Sequence, residues 1–352
     1  MFRSLAAGLV LVASVQAVPY QIVYQSPNSV DGAGGGQIAG EEAIAVGSGD
    51  VVALDEQGVA TNKTNGAYGL VQQVAARGEK VAFATAADVF APSGLAWTNV
   101  TSGTVVNPVI RPDGVNASGE LAFIRQTGPE LYHWDGASLN LVPTIGGAVF
   151  ALEASILDDG RIGAAVYDGV TRDYYLDGVN LTSDPIHDGY LVNGARINQS
   201  GQAVFASEGF GDTQLFFWDG SVLRHLSAEL GIGDITEVEI NDAGHVLFVS
   251  TTAGHNLYFW DGTEATLIGG SGGTGLNALS LGEDDSIFFS TEQPDVFVLA
   301  GEPVVESLGF SSFAGGNTAW LLAQSNASVP EPSGAVLSLL GLLAMVRRAR
   351  KR

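Results

Sequence analysis

The chain has 352 residues, 47 of them glycine and none cysteine, and its 38 Asp and Glu against 15 Lys and Arg give a net charge of −23. A surface this negative repels nucleic-acid phosphates and anionic lipid, so nucleic-acid binding is not expected, whereas cations and basic partners are compatible with it. Without cysteine no disulfide reinforces the fold, which must rest on a sizeable core and on sheet hydrogen bonds.

The chain begins MFRSLAAGLVLVASVQAVPY. Arg3 supplies a positive start, Leu5 to Val15 a short apolar run, and Val15-Gln16-Ala17 small residues around a cleavage point after Ala17. These are the three parts of a secretory signal peptide, so residues 1–17 are set aside from the fold.

From there a phrase recurs. VNASGELAFI (115–124), INQSGQAVF (197–205) and INDAGHVLF (240–248) share Asn-x-x-Gly followed by small, aliphatic and aromatic residues. Its glycines, Gly78, Gly119, Gly160, Gly201 and Gly244, are spaced by 41, 41, 41 and 43 residues, and Asp285 lies 41 further on. A second motif keeps the same phase: Gly136, Gly178, Gly220 and Gly262 end Asp-Gly pairs 42 residues apart, three of them preceded by Trp134, Trp218 and Trp260.

Each unit reads as four short strands. In one of them ITEVEI (235–240) alternates, NDAG turns, HVLFVS (245–250) and NLYFW (256–260) follow, and Asp261-Gly262 turns the chain into TEATLI (263–268). Asn241 suits a side-chain-bonded turn, Gly244 a positive φ, and Asp-Gly a tight hairpin. The second strand is apolar on both faces, which requires layers above and below it. Units of about 42 residues with four antiparallel strands, packed face to face, specify a β-propeller. Val30-Asp31-Gly32-Ala33-Gly34 is assigned as the turn of a further unit, making seven, and YQIVY (20–24) and TAWLLA (318–323) as strands that clasp the ring. The Trp residues are expected to pack between blades.

Catalytic motifs are scarce. IGGSGGTG (268–275) contains G-x-S-x-G and G-x-G-x-x-G, but between blades rather than between a strand and a helix. His133, His187, His225, His245 and His255 lack zinc-ligand spacing, and His245 and His255 are read as solvent-facing. LDDG (157–160) and GEDD (282–285) lack the order of a calcium loop, so no cofactor is expected and calcium is only a weak candidate. The Asn-x-Ser/Thr sites at Asn62, Asn99, Asn116, Asn180, Asn198 and Asn326 are read as turn composition.

The chain ends VPEPSGAVLSLLGLLAMVRRARKR. Pro330-Glu331-Pro332 breaks regular structure, Ser333 to Val346 is an uncharged apolar segment, and five basic residues follow. A 14-residue helix spans about 21 Å against a hydrocarbon core of roughly 30 Å, marginal for a permanent anchor but sufficient for transient retention with the basic end in the cytoplasm. This end closely resembles the PEP-CTERM sorting signal of bacteria, with Pro330, Glu331 and Pro332 as its motif. The repeat resembles the NxxGxxAF tandem repeats found beside such signals: Asn116, Gly119, Ala122 and Phe123 match in full, and the units at 198 and 241 nearly so. The resemblance implies an exosortase-type processing enzyme as partner, transient insertion in the inner membrane through the C-terminal helix, and final placement at the cell surface or in an exopolysaccharide matrix. It implies no activity. Removal of both ends takes away Arg3, Arg347, Arg348, Arg350, Lys351 and Arg352 but no acidic residue, moving the net charge from −23 to −29.

The expected organisation is therefore a signal peptide (1–17), an all-β propeller of about seven four-stranded blades (18–326) and a sorting tail (327–352). The expected function is non-enzymatic binding or scaffolding of exopolysaccharide or surface proteins. The alternative is a polysaccharide hydrolase or lyase, whose mark would be a deep polar pocket with two carboxylates about 5 to 10 Å apart.

Overall fold

A computed structural model describes residues 20–25, 36–39, 42–47, 49–54, 60–93, 96–105, 107–126, 128–143, 145–271, 275–291, 298–299 and 318–324. The signal-peptide residues with Ala17, and the sorting motif Pro330, Glu331 and Pro332, lie outside them. The strands form seven sheets, six of four strands and one of five. These are the blades, numbered 1 to 7 in chain order. Among the described residues the only helical elements are a short helix, Leu226–Leu230, and a 3-10 turn, Pro185–His187, and no helix is long and apolar enough to cross a membrane.

Blade 6 shows how the repeat becomes structure. Ile235–Ile240 pairs antiparallel with Val246–Ser250, which pairs with Asn256–Trp260, which pairs with Ala265–Gly270. All five residues of Val246–Ser250 are buried. Alternate side chains of this strand point to opposite sheet faces. Leu247 and Val249 enter a core shared with blade 7, and Val246 and Phe248 enter one shared with blade 5. The same partition recurs around the ring: Leu121 and Phe123 pack toward blade 2, Ala122 and Ile124 toward blade 4. Six such clusters follow one another, each between neighbouring blades, so the hydrophobic core is a series of inter-blade layers. Trp260 is fully buried in one of them, edge-on to Phe217 of blade 5 at 5.0 Å. Trp134 and Trp218 pack against the equivalent layers.

The ring closes where the sequence expectation put the clasp. Blade 7 consists of Leu276–Leu281, Ile287–Thr291, Thr318–Gln324 and, outermost, the N-terminal strand Tyr20–Gln25, antiparallel to Thr318–Gln324. In the first blade Gly36–Ala39 pairs antiparallel with Glu42–Gly47, with Ala39 opposite Glu42, and the turn assigned from sequence to Val30–Gly34 lies outside the described residues.

Every glycine anchor from Gly78 to Gly244 has a positive φ, and Asp285 takes the same place at +63°. Gly244 sits at +83°, a backbone conformation in which a branched residue is strained, and a Cβ there would also push aside the end of the Gln202 side chain. In the outer turns Asp135, Asp219 and Asp261 each accept two backbone N–H groups through Oδ1. The hydrogen bond from Glu264 N–H, with those from Thr263, holds the Asp261 carboxyl down at about 2. Asn62, Asn99, Asn116, Asn180 and Asn198 likewise accept turn N–H groups, as their composition suggested.

Candidate functional site

The innermost strands carry a feature that the repeat motif does not show. In five blades the register shifts within this strand: at Val71/Gln73, Ala151/Glu153, Val192/Gly194, Ile235/Glu237 and Asn277/Ser280. A bulge re-aims the side chain that follows it. Here it turns Gln73 and Glu153 toward the next blade, where Gln73 Oε1 accepts from Ile110 N–H at 2.9 Å and Glu153 Oε2 from Ala195 N–H at 2.9 Å.

The Asn-x-x-Gly turns provide a second tier of ties. Asn116 Nδ2 donates to Leu157 O in the following blade, Asn198 Nδ2 to Asn241 O, and Asn241 Nδ2 to Gly282 O. All three Asn side chains are buried. The residue after the Asn position extends the relay: Ala117 N–H donates to Asp158, Asp158 N–H to Gln199, Gln199 N–H to Asp242, and Asp242 N–H to Glu283. Asn in this phrase therefore does more than shape its own turn, the role read from sequence. It joins consecutive blades by satisfying a buried carbonyl, and an unpaired one costs roughly 1–3 kcal/mol.

These turns surround the mouth of an axial cavity of about 590 Å³. Its rim carries Arg77, Asp158, Gln199, Asp242, Glu283 and Asp284, and its lining includes Glu239 on the inner strand of blade 6 and Asp113 in the turn that follows Pro108–Val109. Arg77, from the tip of the blade 2 hairpin, reaches Asp158 Oδ2 (3.4 Å), Glu283 Oε1 (2.8 Å) and Asp242 Oδ2, which come from blades 4, 7 and 6. Burial works against its charge, but the hydrogen bond and charge of Asp242, with Asp158 and Glu283, outweigh it and hold the guanidinium pKa above its ordinary value. Burial raises Glu283, partly offset by Asp242 N–H and Arg77.

Around the inner strands lies a second charged layer. Arg196 Nε bonds Glu239 Oε1 at 2.8 Å, Arg196 Nη1 lies 4.0 Å from Glu153 Oε1, and Arg111 Nη2 lies 3.4 Å from the same oxygen. Burial raises Glu239 to about 7 despite Arg196, and raises Asp113 to about 6. Burial also raises Glu237. Asp113 keeps part of its surface open, while its Oδ2 is shielded from solvent and has no hydrogen-bond partner. A carboxylate held near neutrality in a polar cavity can donate or accept a proton; one paired with a guanidinium binds cations or holds strands together.

The sequence candidates fall elsewhere. His245 is not simply solvent-facing: its Nδ1 lies 2.7 Å from Asp285 Oδ1 of blade 7, and its ring packs edge-on to Phe259. The left-handed Asp285, standing where other units have glycine, brings a carboxylate to the blade junction and attracts it. His187 is buried against Ser207 Oγ at 2.9 Å, and burial lowers it to about 4. The acidic turns are committed within the ring: Asp158 and Glu283 to backbone and Arg77, Asp159 to Arg161, and Asp284 to Ser286. Among the described residues no group of three or more His, Asp or Glu is arranged to hold a metal ion. IGGSGGTG lies between blades, after Ala265–Gly270 and before Leu276–Leu281. The axial residues escape a motif search because they occupy different positions in different blades. Alternating charge on the first strand of a unit, as in Glu237-Val238-Glu239, is the signal that could have found them.

No protein-family model matches the chain, and no curated protein is similar to it in sequence. Its fold is similar to solved β-propellers. The WD40 propeller domain of Doa1 superposes with a TM-score of 0.54 at 12% identity, covering 87% of this chain and 98% of that one. YCF48 bound to D1 peptide gives 0.52 at 10%, covering 89% and 99%. A puromycin hydrolase structure gives 0.54 at 13%, covering 76% of this chain but only 51% of the hydrolase, so the chain spans about half of that enzyme's length. At these identities the likeness is one of fold.

Proposed function

We propose that this chain is an exported propeller of the cell surface or exopolysaccharide matrix that binds or scaffolds, with the axial mouth as its recognition site. One observation carries the reading. The described rim carboxylates are already engaged with Arg77 and with neighbouring backbone, an arrangement that builds a rigid mouth around one cation. The sorting-signal resemblance supports export. A second reading, a polysaccharide hydrolase or lyase, draws on Asp113 and Glu239, two carboxyls raised toward neutrality beside the cavity.

The test incubates the full-length protein with extracellular polysaccharide. The expected result is retention of polymer with its chain length unchanged. Release of reducing ends or unsaturated products, lost in Glu239→Gln, would instead establish the enzyme. Export has its own readout. A chain ending at Val329 is expected as a soluble periplasmic or released species, whereas Pro330→Ala with Pro332→Ala should stay full-length and membrane-bound. Identical fractions and processing for truncated, substituted and intact chains would refute the sorting role.

A further inference from the structure

Arg77 behaves at the axial mouth as a seated ligand would. It belongs to blade 2, yet its guanidinium is gripped by carboxylates from blades 4, 6 and 7. Other ties hold the ring: blades 3 to 7 are joined by backbone N–H groups that donate to the side chains of residues 158, 199, 242 and 283, and the clasp inside blade 7 ties the N-terminal strand to Thr318–Gln324. Its side chain remains about a quarter exposed, so it has a path out to water.

The carboxylates outnumber it. Asp113, Asp158, Glu239, Asp242, Glu283 and Asp284 line one cavity of about 590 Å³; Arg196 holds Glu239 from behind, and among the described lining residues Arg77 is the sole cationic side chain. Asp113 Oδ2 is shielded from solvent with no hydrogen-bond partner, an acceptor that a donor entering the cavity would satisfy. A planar guanidinium matches carboxylate oxygens in pairs and is weakly hydrated, which suits it to such a site. The net charge of −23 would steer a cationic partner toward the protein before contact.

We infer that the axial mouth is a receptor for an arginine side chain of a basic peptide or protein, and that Arg77 is an internal occupant which the incoming guanidinium displaces. This rests on the binding reading above and names the chemistry of its ligand. Displacement exchanges one guanidinium for another at the rim, so the carboxylates that grip Arg77 keep a cationic partner. The exchange also makes Arg77 a competitor that weakens binding, which gives the proposal its signature.

The test titrates a fluorescent oligoarginine peptide into the full-length protein at moderate salt. Arg77→Ala should tighten binding by about tenfold or more, because the competitor is gone. Asp242→Asn with Glu283→Gln should weaken it by at least about tenfold, although Arg77 is retained. Asp188→Asn with Glu264→Gln, the same charge change at two exposed positions outside the cavity lining, should stay within about twofold. If Arg77→Ala fails to fold, which thermal melting would show, the two double variants still decide the matter. Equal affinity for wild type and both double variants would overturn the proposal, as diffuse attraction to an acidic surface. Spermine competing as well as an arginine peptide at equal charge would also overturn it, since the site would then take free polyamines. Either failure leaves polysaccharide retention without cleavage untouched, whereas cleavage of polymer would refute the binding reading itself.

Discussion

Replacing Arg196 by Met is expected to lower the stability of the domain by about 3–5 kcal/mol at neutral pH. Arg196 is the cation at the middle of the axial charge layer: it hydrogen-bonds Glu239, stands 4.0 Å from Glu153, and its pKa is held up against burial by Glu239, Asp113 and Glu153. Met fills similar volume, so little of the loss comes from packing. What remains is a set of half-buried or buried carboxylates, with Arg111 left to face Glu153 at 3.4 Å. Uncompensated buried charge is costly, and the variant escapes part of that cost by protonating the carboxylates. The loss should therefore shrink as pH falls from about 7.5 to about 5. Urea unfolding of wild type and Arg196→Met at both values checks this. A loss under about 1 kcal/mol at the higher pH, or one that does not change with pH, would show that Glu239 and Asp113 are solvated enough to bear their charge alone. Adding Glu239→Gln to Arg196→Met should recover part of the stability, because it removes one of the stranded charges.

Much of this fold is legible in the sequence, and the reason is that its units repeat. Backbone demands recur from blade to blade: a positive φ after the first strand in blades 2 to 7, an Asx turn after the third in blades 3, 5 and 6, and apolar side chains on both faces of the second. Gly201, Asp219 and Phe205 therefore stand at fixed intervals from Gly244, Asp261 and Phe248, and that period can be read from the residues alone. The clasp is legible too, since Tyr20–Gln25 and Thr318–Gln324 are strands outside the period. The candidate site is not, for the complementary reason. An axial cavity has one copy of each lining position per blade, but the chemistry at those positions is individual. The rim position holds Ala117, Asp158, Gln199, Asp242 and Glu283, and its cation arrives from one hairpin tip at Arg77. A search for repetition suppresses such residues as noise. The Asn of Asn-x-x-Gly lies between the two cases: its turn role is readable, but its bond to the next blade requires knowing which carbonyl stands beside it. Blade 4 has Leu157 in place of Asn, and its Asp158 N–H still reaches Gln199 in blade 5.

The same axial carboxyls lead us to expect a stability maximum in mildly acidic solution and a decline toward neutrality. Glu239 is raised from 4.5 to about 7 in the folded state and Asp113 from 3.8 to about 6, burial being the main cause in both. Between the unfolded and folded values the native protein holds protons that the unfolded chain has released. The slope of unfolding free energy with pH is then negative, so their contribution is full below about pH 4 and is lost as pH rises through about 6 to 7. The outer turns act in the opposite sense. Asp261 is held down to about 2, mainly by the Glu264 N–H, so its contribution is present above about 4 and lost as pH falls toward 2. Asp135, Asp168 and Asp219 are lowered by similar backbone bonds. The two trends bound an optimum near about pH 4 to 5. Each shifted pK unit corresponds to about 1.4 kcal/mol, so the fall between about pH 5 and about pH 7.5 should amount to a few kcal/mol. Urea midpoints measured across roughly pH 3 to 8 test this. Glu239→Gln should flatten the neutral limb and leave the acid limb unchanged, because it removes a proton that only the folded state retains. A wild-type midpoint that rises over the neutral limb would mean that the axial carboxyls ionise normally, and that Arg196 and Arg111 compensate their burial in full.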